Sequence, residues 1–347
     1  ELLYSKNQSV LGELKYDSKL SEYKPDIFGW VSVFALVVLG LNIASSIARM
    51  NPSSIWTFLN TIILLSYIPL SSIPISERVS EFLSGFELEI IPIPNIFEYT
   101  LDYNYENPHP KALEFGIDTK LFLINTGEIL TIFSANLLLI PFAWLLSKCK
   151  YKKIHKFFSK LLKNYQYGFF LRFWIQGYLD FCIAAGNDVL FPPESELVPI
   201  LSYLLSILVV ILAFASPFLV ALFAKRNSET IKSSKESSKF YRKWGSLFYE
   251  FDYQESEESH YFYVMFLSIR LCYSFNLVVF TGFPLLQCMV NIVMMFCSVA
   301  FMGLIRPDEE KVLRVTNFLT EVGVALVFVE VSYFIDGDSD YYYIAEN

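Results

Sequence analysis

Long apolar stretches are the feature that most limits how this chain can fold. Eight of them are found, at Ile27–Ala48, Ile55–Ile75, Leu121–Leu146, Phe169–Phe191, Val198–Ala224, Tyr261–Thr281, Phe283–Leu304 and Val312–Ile335. A helix of about 20 residues crosses the roughly 30 Å hydrocarbon core of a bilayer. Strands of a membrane barrel are shorter and alternate in polarity, which these stretches do not. The sequence therefore predicts an all-α integral membrane protein, a polytopic bundle of about eight transmembrane helices.

The composition supports a bilayer as the solvent. Hydrophobic residues make up 54% of the chain, charged residues 18%, and the mean hydropathy is +0.42. A soluble domain carries roughly a quarter charged residues. The net charge of −8 does not indicate a nucleic-acid partner, because the charges are segregated along the chain. The five cysteines lie in or beside apolar runs without metal-ligand spacing, which favours buried or lipid-facing thiols.

We expect three parts along the chain. Residues 1–26 form a segment before the first span, and because the chain starts at a Glu rather than a Met we expect it to belong to a longer, processed product. Residues 27–335 form the membrane domain, with an outer connection at 76–118. Its basic inner connections lie at 147–168 and 225–260, and an acidic tail follows at 336–347.

The distribution of Lys and Arg predicts the orientation, since positive charge collects on the inner side of a membrane. The connection at 147–168 has seven lysines and no acid, and the inner connections together hold most of the 27 basic residues. The outer connections are acidic or neutral. We therefore expect an integral protein of the plasma membrane, a ciliary membrane included, with both termini outside. Asn7, in the sequence Asn-Gln-Ser, is a predicted glycosylation site on that side.

Two inner stretches are amphipathic. KKIHKFFSKLLK and KFYRKWGSLFYEF interleave lysines with apolar and aromatic residues. Helices of this kind lie in the membrane interface, where their bases meet anionic lipid headgroups of the inner leaflet. Lys152, Lys153, Lys156 and Trp244 are the predicted interfacial residues. Specific phosphoinositide recognition is the alternative interpretation.

The predicted span Phe169–Phe191 carries a polar stripe. Arg172, Gln176 and Asp180 recur every four residues, which places them on one face of a continuous helix. A charge at the centre of a bilayer costs about 2.5–3.5 kcal/mol, so this face must meet other helices or water. Two interpretations stay open. Either Arg172 pairs with a carboxylate of a neighbouring helix and Gln176 bridges them, or the stripe lines an ion or proton path.

Other spans offer partners for the stripe. Asn317 and Glu321 are four residues apart in the last span, and Arg270 lies in the sixth. We expect either Arg172 or Arg270 to pair with Glu321. The predicted intramembrane polar seam consists of Arg172, Gln176, Asp180, Arg270, Asn317 and Glu321.

The sequence does not favour an enzyme. Its three histidines, His109, His155 and His260, fall in predicted connections, and no phosphate-binding loop, nucleophile elbow or zinc-protease motif occurs. We expect no catalytic residue, cofactor or bound metal. A voltage sensor is not favoured either, since no span has Arg at every third position.

The second half of the chain resembles a known family. Arg172 with Tyr178-Leu179-Asp180, the run Gly245–Glu250, Arg270, Pro284 with Gln287, Arg306-Pro307 and the Asn317/Glu321 pair follow the order found there. The region from Phe169 to Tyr333 is similar to the C-terminal multi-pass domain of the large cysteine-rich, furin-like-repeat membrane proteins of ciliated protists. That domain is loosely similar to TRP-like membrane domains. The resemblance implies an ectodomain before the first span.

Two functions are compatible with these patterns. One is a cation channel, in which Asp180 and Glu321 attract cations while Arg172 and Arg270 hold the closed packing. The other is a non-conducting anchor that holds other protein subunits, such as an extracellular or ciliary-surface assembly, on the membrane. The outer connection 76–118, rich in Pro, Tyr and carboxylates, would dock that partner.

Overall fold

The fold of the chain is taken from a computed structural model. The structure describes Thr61 and residues 63–73, 94–101, 107, 110–148, 151–193, 196–233, 238–248, 257–306 and 311–332. These residues form helices and connections with no β-strand, as the sequence predicts for this class. Three predicted features lie outside the described residues: the first span, Asn7 and the tail 336–347.

The α-helices of the described residues are numbered in chain order. They are α1 (Ile96–Thr100), α2 (Pro110–Glu114), α3 (Phe122–Asn125), α4 (Gly127–Leu146), α5 (Lys152–Gln176), α6 (Tyr178–Leu190), α7 (Leu197–Ser233), α8 (Lys239–Trp244), α9 (Phe262–Val279), α10 (Pro284–Ile305) and α11 (Lys311–Ser332). Short 3₁₀ turns lie at Ile68–Leu70, Gly245–Leu247 and Glu257–Tyr261.

Among the described residues, five helices are long and apolar enough to cross a membrane. They cover Gly127–Leu146, Leu197–Ser233, Glu258–Val279, Pro284–Ile305 and Arg314–Ser332, which correspond to the third, fifth, sixth, seventh and eighth predicted spans. The 37 residues of α7 extend over about 55 Å at 1.5 Å per residue. Because this exceeds the bilayer core, the end of α7 from Lys225 onwards continues beyond the predicted span.

Two predicted spans differ from the expectation. The second span is described only in part. Its helix ends before Tyr67, and the 3₁₀ turn that contains Pro69 follows. The fourth is not one continuous helix, because α5 ends at Gln176 and α6 starts at Tyr178. The intervening Gly177 allows this bend. A Cβ there would lie 2.9 Å from the Phe181 ring, which folds back against Trp174 with ring centroids 5.7 Å apart.

A second irregularity lies beside this bend, within α7. Pro217 has no N–H, so the carbonyl of Ala213, one turn earlier, loses its helical donor. The hydroxyl of Tyr178 donates to that carbonyl at 2.7 Å. One residue before Pro217, the Ser216 hydroxyl accepts a hydrogen bond from the Trp174 indole at 2.9 Å. Residues on both sides of the α5–α6 bend therefore hold the proline site of α7.

Helices α9 and α10 form the tight hairpin that the sequence predicts, with Pro284 in the first turn of α10. Three buried amide side chains join the two helices. Asn276 donates to the carbonyl of Gln287 at 2.8 Å and to the side-chain oxygen of Asn291 at 2.7 Å. Gln287 donates back to the carbonyl of Asn276 at 3.1 Å and accepts from the Ser72 amide at 2.9 Å. These bonds also tie the second predicted span to the hairpin.

The main apolar core lies between α6, α9, α10 and α11. Its largest fully buried members are Tyr273, Leu277, Met295 and Phe328. The rings of Tyr273 and Phe328 meet edge to face with centroids 5.7 Å apart. In contrast, only 11% of the apolar stretch of α4 is buried inside the bundle. Its exposed leucines and aromatics would face lipid.

Candidate functional site

Charged side chains from three helices come together inside the bundle. Asp180 of α6, Arg270 of α9 and Glu321 of α11 form this charged cluster. Arg270 interacts electrostatically with Glu321 and, more weakly, with Asp180. The three belong to the predicted polar seam, and Arg270 and Glu321 line the same cavity. The pairing of Arg270 with Glu321 stays a prediction. Because a charge in lipid is costly, each of them is held by further contacts.

Arg270 is fixed by its own helix. Its guanidinium carbon lies 3.3 Å from the centre of the Phe266 ring, a cation–π contact. One of its nitrogens donates to the Phe266 carbonyl at 3.4 Å. The side chain is 8% exposed, so the Phe266 ring and the surrounding helices exclude most of its hydration.

Each carboxylate accepts one hydroxyl. Glu321 accepts a 2.7 Å hydrogen bond from Ser298 of α10. Asp180 accepts a 2.8 Å hydrogen bond from Tyr67, which precedes the 3₁₀ turn of the second predicted span. The charged cluster thus involves five segments of the bundle, namely α6, α9, α10, α11 and the second predicted span, and a movement of any of them would change its geometry.

A cavity opens beside the cluster. Arg270, Ser298 and Glu321 line it together with apolar residues such as Met265 and Met295. It has about 30 Å³ of space for the centres of water molecules. A water needs about 10–15 Å³ by this measure, so the cavity has room for about two. The charged groups therefore have access to hydration within the apolar part of the bundle.

The structure does not bring every predicted residue of the seam to this cavity. Arg172 is exposed on α5, and Gln176, at the end of α5, is partly buried. The end of α5 at Gln176 means that these two residues and Asp180 do not lie on one uninterrupted helix. None of the three is among the described residues that line the cavity. Asn317 is buried at 2% exposure one turn before Glu321, but it does not line the cavity.

The predicted interfacial residues divide into two groups. Lys152, Lys153 and Lys156 are exposed on the first turns of α5. Trp244 instead packs against Phe223 of α7, with ring centroids 4.8 Å apart. It belongs to an aromatic cluster that joins the 225–260 connection to the ends of α5, α7 and α9.

A buried carboxylate that the sequence analysis did not single out lies near the other end of α6. Asp188 is 1% exposed. One of its oxygens accepts from the hydroxyls of Ser202 and Ser206 at 2.7 and 2.8 Å, and from the Phe122 amide at 3.2 Å. The sequence signal was the spacing of the two serines, four residues apart on the α7 face that meets α6. Asp188 therefore fastens α3 and α7 to α6.

Together, the apolar helices and the buried polar contacts between them define a helical, multi-pass membrane protein. The chain matches no protein-family model, no curated protein and no solved structure. Its own residues are therefore the basis on which an activity can be inferred.

Proposed function

We propose that this membrane protein conducts cations through the cavity at the charged cluster, with Arg270 holding it closed. The observation that carries the proposal is the carboxylate of Glu321 beside a cavity with room for water, with a second carboxylate, Asp180, acting on the same guanidinium. Two carboxylates, Asp180 and Glu321, act on the single guanidinium of Arg270. A net negative site within apolar helices attracts cations and repels anions.

The way the charges are held supports gating. A contact between apolar side chains would stabilise the packing without the cost of burying ions. The retention of three ionisable groups next to space for water favours a role that uses their charge. In the closed arrangement Arg270 neutralises Glu321 and is stacked on Phe266. Movement of Arg270 away from Glu321 would leave the carboxylate free to coordinate a passing cation.

The test is cation flux in liposomes that contain the purified full chain. Glu321→Gln should lower the flux of K⁺ or Na⁺ at least several-fold, because it removes the attracting charge with little change in volume. Arg270→Gln should raise the resting flux, because the closing charge is lost. The matched control is Glu330→Gln, which changes a carboxylate of the same helix that does not line the cavity.

Three results would refute the channel. They are an intact, correctly inserted protein without any conductance, equal fluxes for the Glu321 and Glu330 variants, and a resting flux that Arg270→Gln leaves unchanged. The last would show that the guanidinium only stabilises the helix packing.

The resemblance to TRP-like domains of ciliate membrane proteins agrees with this function and is part of the proposal. So is the orientation with both termini outside a plasma or ciliary membrane, Asn7 glycosylated, and Lys152, Lys153 and Lys156 facing anionic lipids. The exposure of those lysines at one end of α5 supports the orientation. Mapping of the termini by protease protection in sealed vesicles tests it.

A second function is favoured by the outer connection. Asn95 caps α1 by accepting from two of its amides, and its own amide donates to the Ile124 carbonyl at 2.8 Å. This holds α1 against α3 while Ile96 and Tyr99 stay 49% and 81% exposed. We propose, as the alternative, an anchor whose outer platform docks an extracellular assembly or other subunits. Ile96→Ser with Tyr99→Ser should then reduce the native complex to the free chain without changing insertion or ion flux.

A further inference from the structure

The buried side chain of Asn187 lacks the hydrogen bonds that a buried amide normally forms. It lies on α6 next to Asp188 and is 5% exposed. Neither its amide nitrogen nor its amide oxygen has a partner among the described residues. A buried polar group without a partner destabilises a protein by an amount comparable to a lost hydrogen bond. The unpaired amide of Asn187 therefore points to a bound group that supplies its hydrogen-bond partners.

The amide faces a second cavity, separate from the charged cluster. Besides Asn187, its lining is apolar and consists of Leu70, Ala112, Ile117, Ile183, Leu277 and Val278. The cavity is open on one side and has about 10 Å³ of space for the centre of a water-sized group. Leu190 and Val279, close to the lining in sequence, are 43% and 40% exposed. Apolar side chains suited to lipid thus lie near the cavity.

The chemistry of the lining selects the ligand. A charged group would lie in an apolar cavity without any counter-charge among the described lining residues, which is strongly unfavourable. A water molecule makes about three hydrogen bonds, whereas the lining offers only one amide. A hydroxyl is both donor and acceptor, so it can pair with the amide N–H and C=O while its apolar body contacts the aliphatic wall.

We propose that this cavity is a binding site for the hydroxyl group of an uncharged membrane amphiphile, with Asn187 as the residue that recognises it. The size fits a single hydroxyl, and the apolar rim fits a hydrocarbon chain. The site is independent of ion conduction, because Asn187 does not line the cavity at the charged cluster.

The experiment uses the full chain in lipid nanodiscs and two photoreactive probes. One is a long-chain primary alcohol with a diazirine next to the hydroxyl, and the other is the same molecule with a methyl group in its place. After irradiation, mass spectrometry compares labelling of peptides that contain Ile183, Leu277 or Val278. The alcohol should label them about 3- to 10-fold more than the alkane, the range for a net hydrogen bond.

Two variants complete the test. Asn187→Leu keeps the side-chain volume and should abolish the preference for the alcohol, while its thermal midpoint rises because the unpaired amide is gone. Asn136→Leu is the matched control, since it replaces a partly exposed asparagine of α4 that does not line the cavity, and it should keep the preference. Equal labelling by both probes, labelling that survives Asn187→Leu, or no labelling because water alone fills the cavity would each overturn the proposal. The comparison of probes on the unchanged chain decides the matter even if a variant fails to fold.

Discussion

Replacement of Tyr178 by Phe tests how the bundle tolerates a proline inside its longest helix. Tyr178 is fully buried, and its hydroxyl donates to the Ala213 carbonyl at 2.7 Å. That carbonyl needs an outside donor because Pro217 cannot supply the helical N–H. Tyr178→Phe keeps the ring in place and leaves the carbonyl without this donor.

The expected cost depends on residue 217. A buried acceptor left unpaired costs about 1–3 kcal/mol. If Pro217 is also replaced by Ala, the new N–H can bond to the Ala213 carbonyl within α7. The same Tyr178→Phe change should then cost only about 0.6 kcal/mol, the average for a hydrogen bond between membrane helices. The two substitutions are therefore expected to couple by about 0.4–2.4 kcal/mol, the difference between the two costs.

The assay is reversible unfolding of the purified chain in mixed micelles, with helix content followed as the fraction of denaturing detergent rises. The wild type, both single variants and the double variant give a double-mutant cycle. If Tyr178→Phe costs the same with Pro or Ala at 217, the hydroxyl does not serve the orphan carbonyl and the reasoning is refuted. A lower stability of the Pro217→Ala single variant would not rescue it, since only the coupling between the two positions reports the contact.

Three further substitutions probe other contacts by the same unfolding titration. Gly127→Ala places a Cβ 1.8 Å from the Asn95 side chain, so α1 loses its cap at a cost of about 1 kcal/mol. The control is Gly282→Ala, whose Cβ meets nothing within 4 Å and whose stability should stay within about 0.5 kcal/mol of wild type. Equal effects of the two substitutions would contradict the clash. Asp188→Ala leaves two hydroxyls and one amide without their acceptor and should cost about 3 kcal/mol or more; a cost below that of Gly127→Ala would argue against a fastening role. Gln287→Leu removes the side-chain hydrogen bonds to Asn276 and to Ser72 of the second predicted span and should cost about 1–3 kcal/mol. An unchanged unfolding midpoint would mean that apolar packing alone holds the hairpin.

The sequence predicts well those helices whose apolar length alone determines them. Helices α4, α7, α9, α10 and α11 coincide with predicted spans because a stretch of this length has no other stable state in lipid. It does not predict the bend of the fourth span. Gly177 interrupts the helix while Gly186 stays inside one, so glycine alone does not locate a bend. What distinguishes them is the partner: Gly177 leaves room for Phe181, and Gly186 allows close approach of Val278.

The sequence predicts those site residues that are charged and lie within an apolar stretch. Arg270 and Glu321 stand out in this way, and they meet at the cavity. Arg172 stands out equally but lies exposed on α5 and away from the cavity, and its charge alone did not indicate which face of the helix packs against the bundle. Asp188 and Asn187 lie at the end of the predicted fourth span, next to an acidic, proline-rich connection, so they resemble the polar residues that follow the span. Only the packing of α6 against α7 and α9 shows that both are buried.

Asp188 and Glu321 differ in how completely neighbouring groups compensate their charge. This difference distinguishes a carboxylate that stabilises the fold from one that we propose acts in conduction. Asp188 is compensated by fixed, neutral donors on α3 and α7, so nothing is gained by moving it. Glu321 accepts from one serine and otherwise depends on Arg270, beside a cavity with room for water. A small movement there exchanges the guanidinium for water or a cation at low cost. Loss of the Asp188 carboxylate should therefore reduce stability before conductance, and loss of the Glu321 carboxylate should reduce conductance before stability.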